Sequence, residues 1–270
     1  MEKTPLSFKI NQPVLLFFNE KISMHNSFIE VSRYIFSMLI FPQICIVCGE
    51  KADTGKPLCT ICLELHFLKT ARNLSFLKND PERCHKCGRT LISALDLCTV
   101  CRNKEMYAAI DRIIPIFPYT AKGQELLTTW KIAGMRGLSI VFAQCIAAVL
   151  LNTCFTENLT IIPVPPRPDK IKIKGWDQVE ELVKILEKYY KINILRCLAR
   201  NNSMEQKKLN RLARGKNLKG HIIFDKSVTL PDTVIVLDDL MTTGSTLDTC
   251  ADILKTAGCR KVYGLTLFFD

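Results

Sequence analysis

The chain has 270 residues, 48% of them apolar, with a formal charge of +11 from 37 Lys/Arg and 26 Asp/Glu. That length allows one large domain or two ordinary ones, and the apolar share excludes a chain unable to build a core. The charge is concentrated: residues 166–219 hold fifteen Lys/Arg against six Asp/Glu, which reads either as a surface for an anionic partner or as a solvated basic face.

Residues 1–23 lack a clear period. Met24 then opens "MHNSFIEVSRYIFSMLIFPQIC", in which Phe28, Val31, Ile35, Met38 and Leu39 recur at helical spacing until Pro42. The expectation is an N-terminal extension and short amphipathic helix over 1–41, with Met24 as an alternative start. Glu2 and Lys3 precede a mixed polar stretch without a small-residue cleavage site, which does not read as a secretory signal. The charge-free stretch 34–49 contains Pro42 and is shorter than the roughly 20 apolar residues of a membrane span. A cytoplasmic chain with reduced thiols and no membrane span is therefore expected.

Thirteen cysteines are many for this length, and eight of them form four Cys-x-x-Cys pairs. "CIVCGEKADTGKPLCTIC" supplies Cys45, Cys48, Cys59 and Cys62; "CHKCGRTLISALDLCTVC" supplies Cys84, Cys87, Cys98 and Cys101. Each Cys-x-x-Cys turn aims two thiolates at one point, and two facing turns complete a tetrahedral sulfur cage. Gly49 and Gly88 follow the first turn of their blocks, where a left-handed residue is needed. The spacing predicts a double zinc ribbon over 42–106 with two structural zinc ions, since a closed four-thiolate set leaves no open coordination position. Pairing within each block is the first expectation; interleaved pairing, a redox role and an iron–sulfur cluster are the alternatives.

From Ala108 the pattern becomes alternating strands and helices, the mark of a mostly parallel α/β sheet over 107–270. "IDRIIPIFPYT" (110–120) reads as an edge strand because of its prolines. "GQELLTTWKIAG" and "GLSIVFAQCIAAVLLNTC" are helical. "LTIIPVPP" (159–166) is a short buried strand, and "WDQVEELVKILEKYYK" (176–191) a helix with Val179, Leu182, Val183 and Leu186 inward. A basic stretch, 204–224, leads into another strand. "DTVIVLDDL" (232–240) is a buried strand. A helix follows over 245–258 with Leu247, Cys250, Ala251 and Leu254 on one face and Gly258 at its C-cap, and "KVYGLTLFF" (261–269) is the last strand. Trp130 and Trp176 read as packing residues.

The stretch "VIVLDDLMTTGST" (234–246) carries the chemistry. In an open parallel sheet, ligands bind where strands finish and the next helix starts. "VIVL" is apolar on both faces, and Asp238 and Asp239 emerge at its end. Thr242, Thr243, Gly244, Ser245 and Thr246 then form a hydroxyl-rich loop whose backbone N–H groups and helix dipole suit a phosphate monoester. Two carboxylates beside it suit the vicinal hydroxyls of a ribose. The plainer alternative is helix capping by Asp239 or a Ser/Thr, which needs one such residue and leaves the pair and the glycine loop unexplained. Neither GxxxxGK[ST] nor GxGxxG is present.

These thirteen residues resemble the phosphoribosyl-pyrophosphate (PRPP) motif of type I phosphoribosyltransferases: an apolar strand, two acids, then T-T-G-x-T. "PVP" at 163–165, "KGWDQ" at 174–178, "RLARGKNLKG" at 211–220, the double cysteine block and the opening "LIFPQICIVCG" narrow the resemblance to the ComF-like competence proteins, covering about 28–270. The resemblance implies a type I phosphoribosyltransferase fold. It implies that Asp238 and Asp239 hold the ribose hydroxyls at the catalytic centre, that residues 242–246 hold the 5-phosphate, and that magnesium bridges ribose and pyrophosphate. It further implies a role in DNA uptake, either as a glycosyltransferase with an unnamed acceptor or as an accessory protein binding single-stranded DNA through the basic segment and ribbons. Family members commonly carry Arg-Gly-Phe-Asn-Gln where this chain has Lys174-Gly175-Trp176-Asp177-Gln178. Lys174, the residue expected to meet pyrophosphate, keeps the charge but loses the bidentate fork. Arg167 is a second basic residue near the proline loop, and 201–220, with Lys207, Lys208, Arg211, Arg214 and Lys216, corresponds to a hood-like loop.

Overall fold

A computed structural model describes residues 44–53, 56–74, 80–92, 95–102, 107–152, 159–166, 175–200 and 222–270. The expected helix near 28–39, Arg167, Lys174 and the hood-like 201–220 segment lie outside the described residues. The strand–helix alternation builds a five-stranded sheet. Its strands are β1 (Arg112–Pro118), β2 (Thr160–Pro163), β3 (Asn193–Ile194), β6 (Thr233–Met241) and β7 (Lys261–Phe269), in the spatial order β1-β7-β6-β2-β3. Every neighbouring pair is parallel. A separate antiparallel ribbon joins β4 (Leu198–Arg200) to β5 (Ile222–Phe224). The α/β class read from the sequence is therefore what the chain adopts. No helix among the described residues is long and apolar enough to cross a membrane.

Parallel strands buried on both faces should read as continuous apolar runs, and β6 does: Val234, Ile235, Val236 and Leu237 are each fully buried. Alternation sends Ile235 and Leu237 to one face and Val234 and Val236 to the other, so two cores form. The first face is covered by α3 (Ala121–Lys131), α4 (Gly137–Leu151) and α5 (Gln178–Tyr190). Helix α4 is apolar nearly all round, as its burial between the sheet, α5 and the segment 60–72 requires. Helix α5 buries Val179, Leu182, Val183 and Leu186 as its period predicts, and Asp177 caps it, accepting from Glu180 N–H at 2.9 Å.

The opposite face is covered by α6 (Ser245–Thr256), with Leu247, Cys250, Ala251 and Leu254 inward. Its end closes as the glycine predicts, one residue beyond the cap residue Ala257: Gly258 N–H donates to Lys255 O and Cys259 N–H to Leu254 O, each at 3.0 Å. Trp130 is fully buried, donating to Ser139 Oγ at 2.8 Å, and lies edge-on to Trp176 at 6.2 Å; both tryptophans are packing residues.

The two cysteine blocks dock on opposite faces of this sheet beside edge strand β1. The first continues into α1, a helical run of Thr60–Cys62, a π-helical stretch Leu63–Leu68 and Lys69–Arg72. Phe67 of that run packs at 5.5 Å on Phe117, and Cys45 and Cys62 join the core under α4. The second block ends in the short helix α2 (Thr99–Arg102), and its Cys84, Cys87 and Cys101 join the core under α6.

Candidate functional site

Strand β6 (Thr233–Met241) matches the 232–240 strand read from the sequence to within one residue. Asp238 and Asp239 lie inside it, because β7 continues alongside and gives Leu240 and Met241 partners in Phe268 and Phe269. Strand alternation then points the two carboxylates to opposite sides of the sheet, which separates the like charges that the sequence places side by side. Asp239 pairs with Lys131 at the end of α3, Nζ to Oδ2 at 2.6 Å. Asp238 accepts from the Asp239 N–H at 2.8 Å. Burial, and next the neighbouring Asp239 charge, push the Asp238 carboxyl up to about 7 against the pull of Lys131 and Arg200. Asp177 is also raised, by burial first, with Asp239 adding to it. Asp177 thus has a structural task at the α5 N-cap while lying close enough to feel the β6 acids.

The loop that follows is built around Gly244, which takes a left-handed φ of +72° and forms the N-cap of α6. No side chain caps this helix, so capping does not account for the motif, and first-turn N–H groups remain to be satisfied from outside. Thr243 Oγ1 lies 2.9 Å from Ser245 Oγ, and the Ser245 N–H reaches Thr243 Oγ1 only at 3.4 Å. Asp238, Thr242, Thr243, Gly244, Thr246 and Leu247 line a shallow, partly open recess. The fold thereby gathers Asp238 with the loop in one recess and holds Asp239 on its Lys131 side. Ser245 stands at the loop's outer edge.

Three residues that the sequence does not single out complete the surroundings. Lys131 neutralises Asp239. Arg200, on β4, donates from Nε to Pro165 O at 2.8 Å, tying β4 to the proline loop after β2, and its charge acts on Asp238. Tyr107, itself left-handed at φ 56°, lays its ring against Gly244, where a Cβ would run into Cε1.

The eight predicted sulfur ligands assemble as two sets, Cys45–Cys48–Cys59–Cys62 and Cys84–Cys87–Cys98–Cys101, with the sulfurs of each set within 4.8 Å of one another. This is the within-block arrangement. Tetrahedral zinc with Zn–S bonds of about 2.3 Å has an S···S edge of about 3.8 Å. Cys48 and Cys59 sulfurs lie 3.8 Å apart and those of Cys87 and Cys98 3.7 Å, so the donor sets fit the ion. Gly49 and Gly88 take the left-handed conformations expected, φ +76° and +69°. Backbone N–H groups of Cys59, Cys48 and Val47 outweigh burial and draw the Cys45 thiol down to about 6, while the Cys101 and Cys87 side chains lower Cys84 further. One thiol per set is thus lowered by the protein alone, while Cys48, Cys62, Cys87 and Cys101 are raised, the direction a bound cation would reverse. All twelve described cysteines are free of disulfides.

No family model matches the chain. Over 153 residues, 56% of its length, it is 28% identical to the competence protein ComFC of Streptococcus pneumoniae (strain ATCC BAA-255 / R6). The match spans 66% of that relative's length, slightly under two thirds. Two four-cysteine sets ahead of a parallel α/β sheet, together with this partial match, make the chain similar to the competence protein ComFC.

Proposed function

We propose that the recess at the end of β6 binds the phosphorylated ribose of PRPP or a closely related compound, in a protein that serves DNA uptake. The observation that carries this reading is the uncapped N-terminus of α6 facing the same recess as Asp238. Residues 242–246 offer N–H groups and hydroxyls to a phosphate, Asp238 offers acceptors to the ribose diol, and Asp239 would join it only by exchanging its Lys131 pairing for the ligand. A magnesium ion, when bound with the ligand, would neutralise pyrophosphate oxygens; hard carboxylate donors fit it. In this reading Lys174 meets the pyrophosphate, and the chain is a phosphoribosyltransferase whose acceptor is chosen by the 201–220 hood. The resemblance supports both assignments. The test is a melting curve with PRPP and Mg²⁺. The intact protein should gain stability, and Asp238→Ala/Asp239→Ala should lose the gain. An intact protein whose melting temperature does not move overturns pocket occupancy.

A second reading, single-stranded DNA contact through the ribbons and basic segment, is favoured by the excess of nine positive charges in 166–219, fifteen Lys/Arg less six Asp/Glu. Phosphate contacts release counterions, so affinity for an oligonucleotide should fall steeply with salt. Binding that ignores salt contradicts it. The competence name of the relative supports either role.

A further inference from the structure

We propose that the second cysteine set is a brace for the 242–246 loop, with Arg89 and Tyr107 as the positioning residues that link its metal cluster to ligand binding. The phosphate part of this inference rests on the pocket reading above. Arg89 is two residues beyond Cys87. Its Nη2 donates to Thr242 O at 3.3 Å and to Asp270 O at 2.6 Å, across 153 and 181 positions of sequence. Asp270 N–H in turn donates to Met241 O at 2.9 Å, so one guanidinium holds both the loop's first residue and the strand end beside it. Arg89 Nε is buried without a partner among the described residues, a destabilising arrangement retained along with the two carbonyl bonds.

Tyr107 supplies the second contact. It shares a core with Cys84, Cys87, Cys101 and Leu247 of α6, and its ring closes the space beside Gly244. A third tie follows at once: Ala109 N–H and Ile110 N–H both donate to Asp248 Oδ1 at 2.9 Å, fixing the first turn of α6. The block itself is anchored to β1 by Ile113 N–H donating to Lys86 O at 2.7 Å and by Arg83 donating to Pro115 O at 3.0 Å. The loop and the first helical turn are therefore held from the side that carries the second cluster. Loss of that metal would free Cys84 and Cys87 from their buried positions and release Arg89 and Tyr107 with them.

The experiment compares the zinc-loaded full chain with Arg89→Met, Arg89→Lys and Tyr107→Leu. It reads zinc content, amide exchange over 241–248 and affinity for PRPP with Mg²⁺. Arg89→Met should keep the zinc content of the parent yet exchange the loop amides, and release the ligand, about tenfold faster, the net value of one hydrogen bond. Arg89→Lys, which can serve one carbonyl, should fall between the two. Tyr107→Leu, which keeps an apolar filler, should loosen the loop without losing zinc. Loop exchange unchanged in both Arg89→Met and Tyr107→Leu overturns the brace. A parent that ignores PRPP overturns the pocket reading and the link to the ligand, while its exchange data still decide whether the ribbon orders the loop.

Discussion

Replacing Asp238 by Asn should make the protein more stable while removing its ligand. The side chain keeps its shape and its Oδ1 still accepts from the Asp239 N–H, so the change is one of charge. A carboxyl that titrates near 3.8 when unfolded and about 7 when folded costs the native state up to about 4 kcal/mol above pH 7. Asp238 is only half-buried by surface area, so solvent screening reduces this to about 2 kcal/mol. The sign follows from the raised value: the cost is absent below about pH 4, grows as the unfolded chain ionises, and is complete above about pH 7. Thermal melts of the parent and Asp238→Asn should therefore differ by roughly 4–8 °C at pH 8 and by about half that at pH 5.5. A variant no more stable than the parent at pH 8, or a gain that does not shrink on acidification, refutes the reasoning. Stabilisation combined with lost PRPP response would mark Asp238 as a residue kept for binding.

Other expectations test separate parts of the structure. Affinity for Mn²⁺ alone should fall about tenfold per pH unit below 7, because the ion must displace the Asp238 proton, and titration followed by electron paramagnetic resonance should show it. A flat profile would mean that the ion does not use this carboxylate. Elemental analysis should find two zinc ions per chain, one for each four-cysteine set. A chelator should remove them in two equal phases, the first from the set with exposed Cys48, the second from the set with buried Cys84, Cys87 and Cys101; a single phase contradicts this order. Gly49→Ala meets no neighbour and should lose only about 1 kcal/mol to its left-handed backbone. Gly88→Ala would in addition drive a Cβ into Pro115 and to 2.9 Å from Ile113 O, so chemical denaturation should show a clearly larger loss.

What could be read from the chain follows the range of the forces involved. The zinc ligands and the β6–loop–α6 unit are local: their geometry comes from spacings within 45–62, 84–101 and 234–246, and the fold reproduces them. The edge placement of β1 was legible because Pro115 and Pro118 cannot serve a ladder on both sides. The length of β6 was legible to within one residue, while its partners at Leu240 and Met241 come from β7, which lies after the intervening helix. Lys131, Arg200, Arg89 and Tyr107 were illegible. Each is a lone basic or aromatic residue in its own neighbourhood, and only the topology carries it to the strand end. Asp177 stands where family members commonly carry Asn, and in the fold it serves as the α5 cap, a place either side chain can fill.

The docking of the second ribbon along β1 bears on solubility. An outer strand exposes unpaired N–H and C=O groups on which another chain can add a strand. Here Ile113 N–H is taken by Lys86 O, and Pro115 O is taken by Arg83, so the open margin of the sheet is already occupied by a neighbour from its own chain. That neighbour is held in shape by four thiolates. Oxidants and chelators that dismantle the cluster would thus expose a pairing edge, and self-association through strand addition, in a chain whose sheet is otherwise intact, is the form its failure should take.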